Sequence, residues 1–423
     1  MIARYVEQKE ILAAPSKSKT KDLLKHHNEI RDSANALYAA LESGWNCRCD
    51  CGHKANLQLQ RRQQPHRSCS FSICLSYPGG SRANTQGQRL WLEAKVKIGK
   101  MDDASSLRVG RLSLEQASRN QDSSTSSPIT PARNSPRIRI IEPEDRHQIP
   151  DTSLTPTVSN RRPQSQISSL CETLQSLQPL SENLGYLAYA PRRLCVDVDV
   201  SGSDKPDLPD PVPLGKLFPS GHEAHHFGKL SRQQRLSIAV TLAHAVLQFH
   251  QSPWMNEAWG KKDIFFFWHG VDTLKRSIID HPYVSRSFTT HTNPNMEPVS
   301  PTHTVDMASA LIVNKSLFAL GIVLIELCFN KSFEELYAES RDTPTAPSEE
   351  RLDSFEVYRV ANSLTEAVYS EQGTQYGYVV QRCLRCEFGV QDSRKQLEIE
   401  AFRTLVYEGV LAPLEEDLAR YNV

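Results

Sequence analysis

One helical segment in the C-terminal half limits the possible folds more than any other feature. Residues 314–336 (NKSLFALGIVLIELCFNKSFEEL) are apolar on almost every side of a helix. Such a helix is stable only where other elements cover it all round, so it predicts the centre of a helical lobe, with Asn314 as its N-terminal cap. The longest apolar run, residues 317–329, is interrupted by Glu326 and is shorter than the roughly 20 residues that a membrane span needs.

Hydrophobic periodicity and turn residues predict the other elements. A helix is expected over residues 20–43, and another over 231–250, where Ser231 and Gln234 form a capping-box pattern. The predicted strands cover residues 45–60, 69–77, 88–99, two segments around the Ala190-Pro191 turn and residues 263–267. The remaining helices cover residues 167–177, 355–371, 375–386 and a segment from Leu397 that Pro413 should kink or break. Strands therefore mostly precede helices, which indicates an α+β fold.

Composition changes in residues 102–165, which are rich in Ser, Thr, Pro, Asn and Arg. This segment buries too little apolar surface to offset its ordering entropy, which predicts a disordered insert. The predicted organisation has five parts: a flexible N-terminus (1–19), a helix and the strand-rich part of an N-lobe (20–101), the insert (102–165), the rest of the N-lobe with a hinge-like segment (166–230) and a helical C-lobe (231–423). Four Ser/Thr-Pro pairs suit proline-directed phosphorylation or simply reflect composition: Ser127, Thr130, Ser135 and Thr155.

Charge and sequence patterns exclude several classes of function. Lys and Arg total 49 and Asp and Glu total 49, so no net basic field attracts nucleic acid or an anionic membrane. The basic segment ARNSPRIRI has no interleaved aromatic residues, and nucleic-acid binding is not expected. The first residues lack a secretory apolar core, which predicts an intracellular, cytoplasmic protein. Its 10 cysteines are then expected to be reduced thiols.

The order of the elements and several of their sequences resemble a protein kinase. RLSIAVTLAHAVLQFH is similar to the kinase helix that leads into the catalytic loop, and KKDIFFF is similar to the end of that loop and the next strand. SLFALGIVLIELCFNKSFEEL is similar to the central C-lobe helix, and VVQRCLRCEF to a late C-lobe segment. The resemblance implies a degenerate kinase-like α+β fold, with a small strand-containing N-lobe behind a leading helix and a mostly helical C-lobe.

A closer resemblance is to a fungal family of uncharacterised proteins whose shared region is a domain of unknown function (seven-five-eight-zero). The segments that carry it include GWNCRCDCGHKANLQL, HPYVSRSF and EAFRTLVYEGVLAPLEEDL, and it extends over about residues 20–100 and 166–423. It implies a filamentous fungal source and no established activity. Relatives commonly begin with an extra helical region that resembles those of fungal prion-inhibition and cell-death proteins. This chain is expected to lack most of that region.

Phosphoryl transfer requires a catalytic Asp, metal-binding groups and a Lys on the nucleotide phosphates. Aligning the first residue of DIFFF with the metal-binding Asn of a kinase puts Ala258 at the catalytic Asp. An alanine side chain can neither accept a proton nor orient a hydroxyl. Asp263 falls at the Asn position, where it could hold a cation or face water, and the adjacent pair Lys261 and Lys262 is expected to be solvated. Trp254 and Trp259 flank the site, and their burial would indicate that the pocket is filled.

The other kinase elements are missing or weakly matched. No Asp-Phe-Gly and no G-x-G-x-x-G loop occurs in the sequence. Asp280, in the corresponding region, precedes His-Pro, which fixes a different backbone. Lys95 or Lys97 could stand for the nucleotide-binding Lys, with Glu172 as its helix partner, but strand alternation points both lysines outward. The residues therefore predict that the chain is not an active kinase.

A cysteine-rich segment carries zinc-ligand residue types. Cys47, Cys49, Cys51 and His53 alternate as C-x-C-x-C-x-H. On one straight strand these side chains would spread over about 20 Å, too far apart to surround one ion. A bend at Gly52 could bring part of the set together. Buried thiols on a strand are the alternative interpretation.

The sequence leads to a hypothesis of a non-catalytic, pseudokinase-like module that binds protein partners of unknown identity, in fungal self/non-self or stress signalling, without a cofactor. Two alternatives stay open. One is an atypical nucleotide-binding or phosphotransfer enzyme that uses Asp263, Asp280 and Lys95 or Lys97. The other is a zinc-stabilised structural module at residues 45–53.

Overall fold

The computed structural model describes residues 17–47, 52–61, 69–78, 89–100, 165–176, 183–198, 210–218, 230–267, 281–288, 311–342, 352–389 and 395–421. Within these segments the helices are α1 (Lys17–Gly44), α2 (Leu170–Gln175), α3 (Arg232–Phe249), α4 (Lys315–Phe329), α5 (Phe333–Ser340), α6 (Ser354–Gln372), α7 (Thr374–Arg385), α8 (Glu400–Val406) and α9 (Ala412–Ala419). The four candidate phosphorylation sites, Cys49, Cys51, Asp280 and the predicted insert apart from Ser165 lie outside the described residues. Each helix predicted from the sequence is present.

The described strands form one eight-stranded sheet: β1 (His53–Gln58), β2 (Cys69–Pro78), β3 (Arg89–Lys100), β4 (Asn183–Tyr189), β5 (Arg192–Val198), β6 (Val212–Pro213), β7 (Ile264–Phe266) and β8 (Tyr283–Phe288). Their order across the sheet is β4-β5-β3-β2-β1-β8-β7-β6, and β1 pairs antiparallel with both β2 and β8. In β2, Phe71, Ile73 and Leu75 are buried, as alternate residues on one face of a strand. The predicted α+β class is confirmed.

β8 connects the strand-rich part of the chain to the segment that follows α3. Its Val284 pairs with Leu57 of β1 on one side and with Ile264 of β7 on the other. All three side chains are buried, so the junction is apolar. The part of the chain predicted as a helical lobe thus adds two strands to the same sheet. This arrangement holds the loop between α3 and β7 beside the sheet.

α3 is covered on several sides by other helices. The predicted capping box is confirmed, since the Gln234 amide donates to Ser231 Oγ over 3.2 Å and the Ser231 amide donates to Gln234 Oε1 over 2.9 Å. Every residue from Ile238 to Phe249 is buried. The helices α1, α4 and α9 all pack against it. α3 therefore packs against three other described helices.

α4 is the apolar helix that the sequence predicts at the centre, and most of its residues are buried. Asn314 caps it by accepting a first-turn amide over 3.0 Å. The prediction of one helix over residues 314–336 is wrong near its end, because Asn330 takes a left-handed φ of 53° and stops α4. Ser332 and Glu335 then form the capping box of α5. Among the described residues no single helix has the length and composition to cross a membrane. α4 and α5 meet these two criteria only when they are taken together, and a 77° bend separates them.

The last helical segment changes geometry before its proline. Tyr407–Leu411 forms a π-helical turn, and Pro413 lies in the first turn of α9, where a missing amide is tolerated. Proline cannot donate to the carbonyl four residues earlier, that of Gly409. The Nη1 of Arg382 donates to this carbonyl instead, over 3.0 Å. The predicted interruption is therefore present, and a side chain from α7 satisfies the backbone group it releases.

Candidate functional site

The loop between α3 and β7 corresponds to the kinase catalytic loop in the sequence resemblance, and its first half is fixed to α1. Trp254 is fully buried, and its indole N–H donates to the carbonyl of Ala34 over 2.8 Å. Tyr38 packs edge-on against this indole, with ring centroids 5.6 Å apart. Because the donor is satisfied inside the protein, the burial of this large side chain is stabilising.

The second half of the loop is fixed to α4. Trp259 is 2% exposed, and its indole N–H donates to the carbonyl of Ser316 over 3.3 Å. Two indole rings therefore lie buried on the inner side of the loop. Between them, Asn256, Glu257 and Ala258 form an exposed turn. The position aligned with the catalytic Asp thus presents a methyl group to solvent.

Asp263 ties the end of the loop to neighbouring backbone and to β8. Its Oδ2 accepts the Gly260 amide over 3.0 Å, and its Oδ1 lies 3.4 Å from Nη1 of Arg286. The same guanidinium donates from Nε to the carbonyl of Pro253 over 2.6 Å. Both carboxylate oxygens of Asp263 have partners within the protein, and one of those partners is a cation. This arrangement disfavours a second cation at the same carboxylate.

Lys261 is the centre of a largely buried ion cluster, so the prediction that it is solvated is wrong. Its Nζ lies 2.6 Å from Oε1 of Glu326 in α4 and 2.5 Å from Oε2 of Glu334 in α5. Glu326 is 1% exposed and also accepts the Phe333 amide over 2.8 Å. Burial raises the pKa of Glu326 to about 7, although Lys261 opposes the shift. The available signal was the glutamate that interrupts an otherwise apolar helix.

The residues proposed for a nucleotide-binding Lys and its partner do not come together. Nζ of Lys97 pairs with Oδ2 of Asp197 in β5 over 2.8 Å. Lys95 and Glu172 are both exposed, as strand alternation predicts for the lysine. Glu172 lies in the first turn of α2, where its backbone amide donates to the Ser169 cap over 3.4 Å. The described strands and helices therefore hold these groups at the surface rather than in a cleft.

A set of buried imidazoles joins α1 and α3, and no sequence pattern singled it out. His244 is fully buried, with Nε2 2.8 Å from Oε1 of Glu415 in α9 and its ring centroid 5.9 Å from that of His27. Burial lowers the pKa of His27 well below its ordinary value. Burial and the neighbouring Arg31 lower the pKa of His250 to about 3. His27 and His250 are thus neutral core residues at physiological pH.

The cysteine-rich segment differs from its predicted form. Residues 45–47 are not in a strand, and β1 begins at His53, so the prediction of one straight strand over residues 45–60 is wrong at its start. Trp45 closes α1, donating its amide to the carbonyl of Leu41 over 3.0 Å. Its indole stacks on the His53 ring, with centroids 4.1 Å apart and planes 4° from parallel. The end of α1 and the start of β1 are therefore in contact.

The contact between the end of α1 and the start of β1 brings three metal-ligand side chains together. Sγ of Cys47 lies 2.8 Å from Nε2 of His53. Sγ of Cys171, in α2, joins them, and the three ligand atoms all lie within 4.8 Å of one another. His53 and Cys171 are buried, while Cys47 is half-buried. Cys171 was missed because it lies on the far side of residues 102–165 and has no second Cys or His nearby in the sequence.

One comparison with known proteins defines the family. A family model described as a domain of unknown function (DUF7580) matches residues 24–421. The chain belongs to this family. No curated protein and no solved structure matches it. The match covers nearly all of the described fold, and the family has no known activity.

Proposed function

We propose that this DUF7580 chain is a non-catalytic, pseudokinase-like module that acts by binding protein partners. The observation that carries the proposal is the loop between α3 and β7. It has Ala258 where a kinase has its catalytic carboxylate, and Trp254 and Trp259 are buried beside it. A catalytic loop needs space for a substrate and for a nucleotide, whereas here the inner side of the loop is filled with aromatic rings.

The charged residues of the loop support the same proposal. Transfer of a phosphoryl group needs carboxylates that hold a metal ion and a Lys that contacts phosphate. Asp263 is occupied by Arg286 and a backbone amide, and Lys261 is occupied by Glu326 and Glu334. Releasing any of these groups would leave a partner charge or amide unsatisfied, which is costly at a buried site. The loop's polar groups thus stabilise the fold.

The pseudokinase-like part of the proposal rests on element order. A helix, a loop, a short strand and a central apolar helix follow one another as α3, the Trp-bearing loop, β7 and α4. The resemblance to the fungal family extends the proposal to a filamentous fungus, where the chain would work inside the cell in self/non-self or stress signalling. In such a setting a frame without catalytic groups can still present surfaces to other proteins.

Nucleotide titration tests the non-catalytic part. Thermal unfolding is recorded with Mg-ATP and with Mn-ATP, for the wild type and for Lys97→Ala. We expect no change in Tm, because the groups that would hold phosphate and metal are already paired. A ligand at about 100 times its Kd would add about 2.7 kcal/mol to the free energy of unfolding. A rise of that size in the wild type that Lys97→Ala abolishes would contradict the proposal.

Partner recovery tests the binding part. The tagged chain is expressed in a fungal host, cross-linked and purified beside Ala258→Asp and Trp254→Ala. We expect a partner in fixed proportion with the wild type and with Ala258→Asp, because that position is exposed and carries no chemistry. The partner should be lost with Trp254→Ala, which loosens the loop. Phosphate transfer from ATP by the wild type, without a recovered partner, would overturn the assignment.

A further inference from the structure

We propose that Cys47, His53 and Cys171 form a structural zinc site that joins the turn between α1 and β1 to helix α2. Two thiolates and one imidazole are the ligand types that zinc prefers in proteins. The proposal concerns fold stabilisation and goes beyond the binding function proposed above. It also differs from the C-x-C-x-C-x-H pattern, because one of its ligands comes from a helix distant in sequence.

The distances fit a zinc site after a small adjustment. With Zn–S near 2.3 Å and Zn–N near 2.0 Å, neighbouring ligand atoms of a tetrahedron lie roughly 3.5–3.8 Å apart. Sγ of Cys47 and Nε2 of His53 are 2.8 Å apart, and no pair in the set with Cys171 exceeds 4.8 Å. Shifts of less than about 1 Å therefore place all three on a sphere around one ion.

The surroundings hold two of the ligands in orientation. The His53 ring is stacked on Trp45 and hydrogen-bonds to the backbone of Ser76, so its rotation is restricted. Nε2 of this ring faces Cys47. The Gln175 amide lies 3.7 Å from Sγ of Cys171, one turn away on α2, and can donate to a thiolate. Side chains that bind zinc commonly have hydrogen bonds of these kinds to neighbouring groups, which hold them in orientation.

Because the three ligands come from different parts of the fold, an ion bound to them would hold those parts together, with a water molecule as its fourth ligand. Cys47 follows α1, His53 begins β1, and Cys171 belongs to α2. α2 is only six residues long, so its own backbone hydrogen bonds stabilise it weakly. An ion bound here would fix α2 against the α1–β1 turn. Burial of His53 and Cys171 leaves little room for a substrate.

Metal content is the first test. The full chain is produced without a histidine tag, reduced, loaded with zinc and dialysed, and its zinc is measured by mass spectrometry. We expect about one ion per chain in the wild type and less than about a tenth of that in Cys171→Ser and Cys47→Ser. Cys195→Ser, a change at another half-buried thiol, should keep the wild-type content. A wild type without zinc, or a Cys171→Ser variant that retains it, would overturn the proposal.

A second measurement does not depend on a variant that folds. Cobalt(II) replaces zinc in the wild-type chain, and its visible and near-ultraviolet spectrum reports ligand type and geometry. We expect the intense bands of a tetrahedral ion with sulfur-to-metal charge transfer. Chelator should remove them and lower Tm by roughly 5 °C or more in the wild type and in Cys195→Ser. Weak octahedral bands without a sulfur transition would show that the thiols do not bind metal and would contradict the site.

Discussion

The loop between α3 and β7 and the turn between α1 and β1 both gather chemically active side chains, but in opposite ways. In the loop, Lys261 is paired with Glu326 and Asp263 with Arg286, each on another element. In the turn, Cys47, His53 and Cys171 converge on one another. Side chains of opposite charge that meet stabilise a fold, whereas donors of electron pairs that meet favour an ion between them.

The kinase resemblance and the metal-binding geometry point to different regions of the molecule. In the kinase resemblance the loop has the position of an active site, yet its Lys261 and Asp263 are paired with other residues of the protein. The turn has no place in a kinase mechanism, yet it holds the residues with the best metal-binding geometry among the described parts of the chain. Function in this family is therefore better sought from contacts than from alignment with a catalytic loop.

The largest effect is expected for Trp254→Ala, which tests whether the loop is a packed structural element. Removing a fully buried indole and its hydrogen bond to Ala34 should lower the free energy of unfolding by about 3–5 kcal/mol, as measured by urea denaturation. Glu257→Ala, at the exposed turn, is the control and should change it by less than about 0.5 kcal/mol. Equal small effects would mean that the loop is loosely attached.

Lys261→Met should have the next largest effect, because it leaves Glu326 buried without its cation. We expect a loss of about 3 kcal/mol at pH 8, measured by urea denaturation. Lys262→Met is the matched control, since its exposed neighbouring side chain should contribute at most about 1 kcal/mol. A Lys261 variant as stable as the control would contradict the view that the loop's charges hold the fold.

A pH series on Glu326→Gln isolates the carboxyl group of the same cluster. Burial raises the pKa of Glu326 to about 7, so the folded chain binds this proton more tightly than the unfolded chain does. Its contribution is therefore fully present below the ordinary glutamate pKa and is lost as the pH rises through about 7. Relative to Glu326→Gln, the wild type should lose about 2 kcal/mol between pH 5 and pH 8. Parallel stability curves for the two proteins would rule out this assignment.

The smallest effect is expected for Ala258→Asp, which puts a carboxylate at the position that aligns with the catalytic Asp of a kinase. The position is exposed, so the free energy of unfolding should change by less than about 0.5 kcal/mol. Assays with labelled ATP and a generic protein substrate should detect no phosphate transfer, because Asp263 and Lys261 remain paired. A gain of transfer would show that one residue alone separates this loop from an active site.

Local patterns predicted most of the described secondary structure. The capping pair Ser231 and Gln234 and the cap Asn314 depend on residues three positions apart, and each is present. The end of α4 at Asn330 was missed because an asparagine inside a helical pattern gives no sign that its backbone is left-handed. Local signals thus locate elements well and their ends less well.

The candidate sites depended on contacts that local patterns do not contain. Glu334 and Lys261 meet although they lie on different elements, and the sequence shows only that Glu326 interrupts an apolar run. The metal-binding set pairs Cys47 with Cys171 across a long stretch of chain. A spacing pattern finds metal ligands only when they lie close together in the sequence on one element. Here Cys47 follows α1, His53 begins β1, and Cys171 lies on a distant helix.

The pairing of β1 with β8 has a consequence for how the chain folds as it is synthesised. Gln58 and Tyr283, which meet through a 3.2 Å hydrogen bond between these strands, are 225 residues apart. At about 5–20 residues per second, a ribosome needs roughly 10–50 s to deliver the second strand after the first. During that interval one edge of β1 is open to other partners, so nascent chains are most exposed to misassembly along this strand.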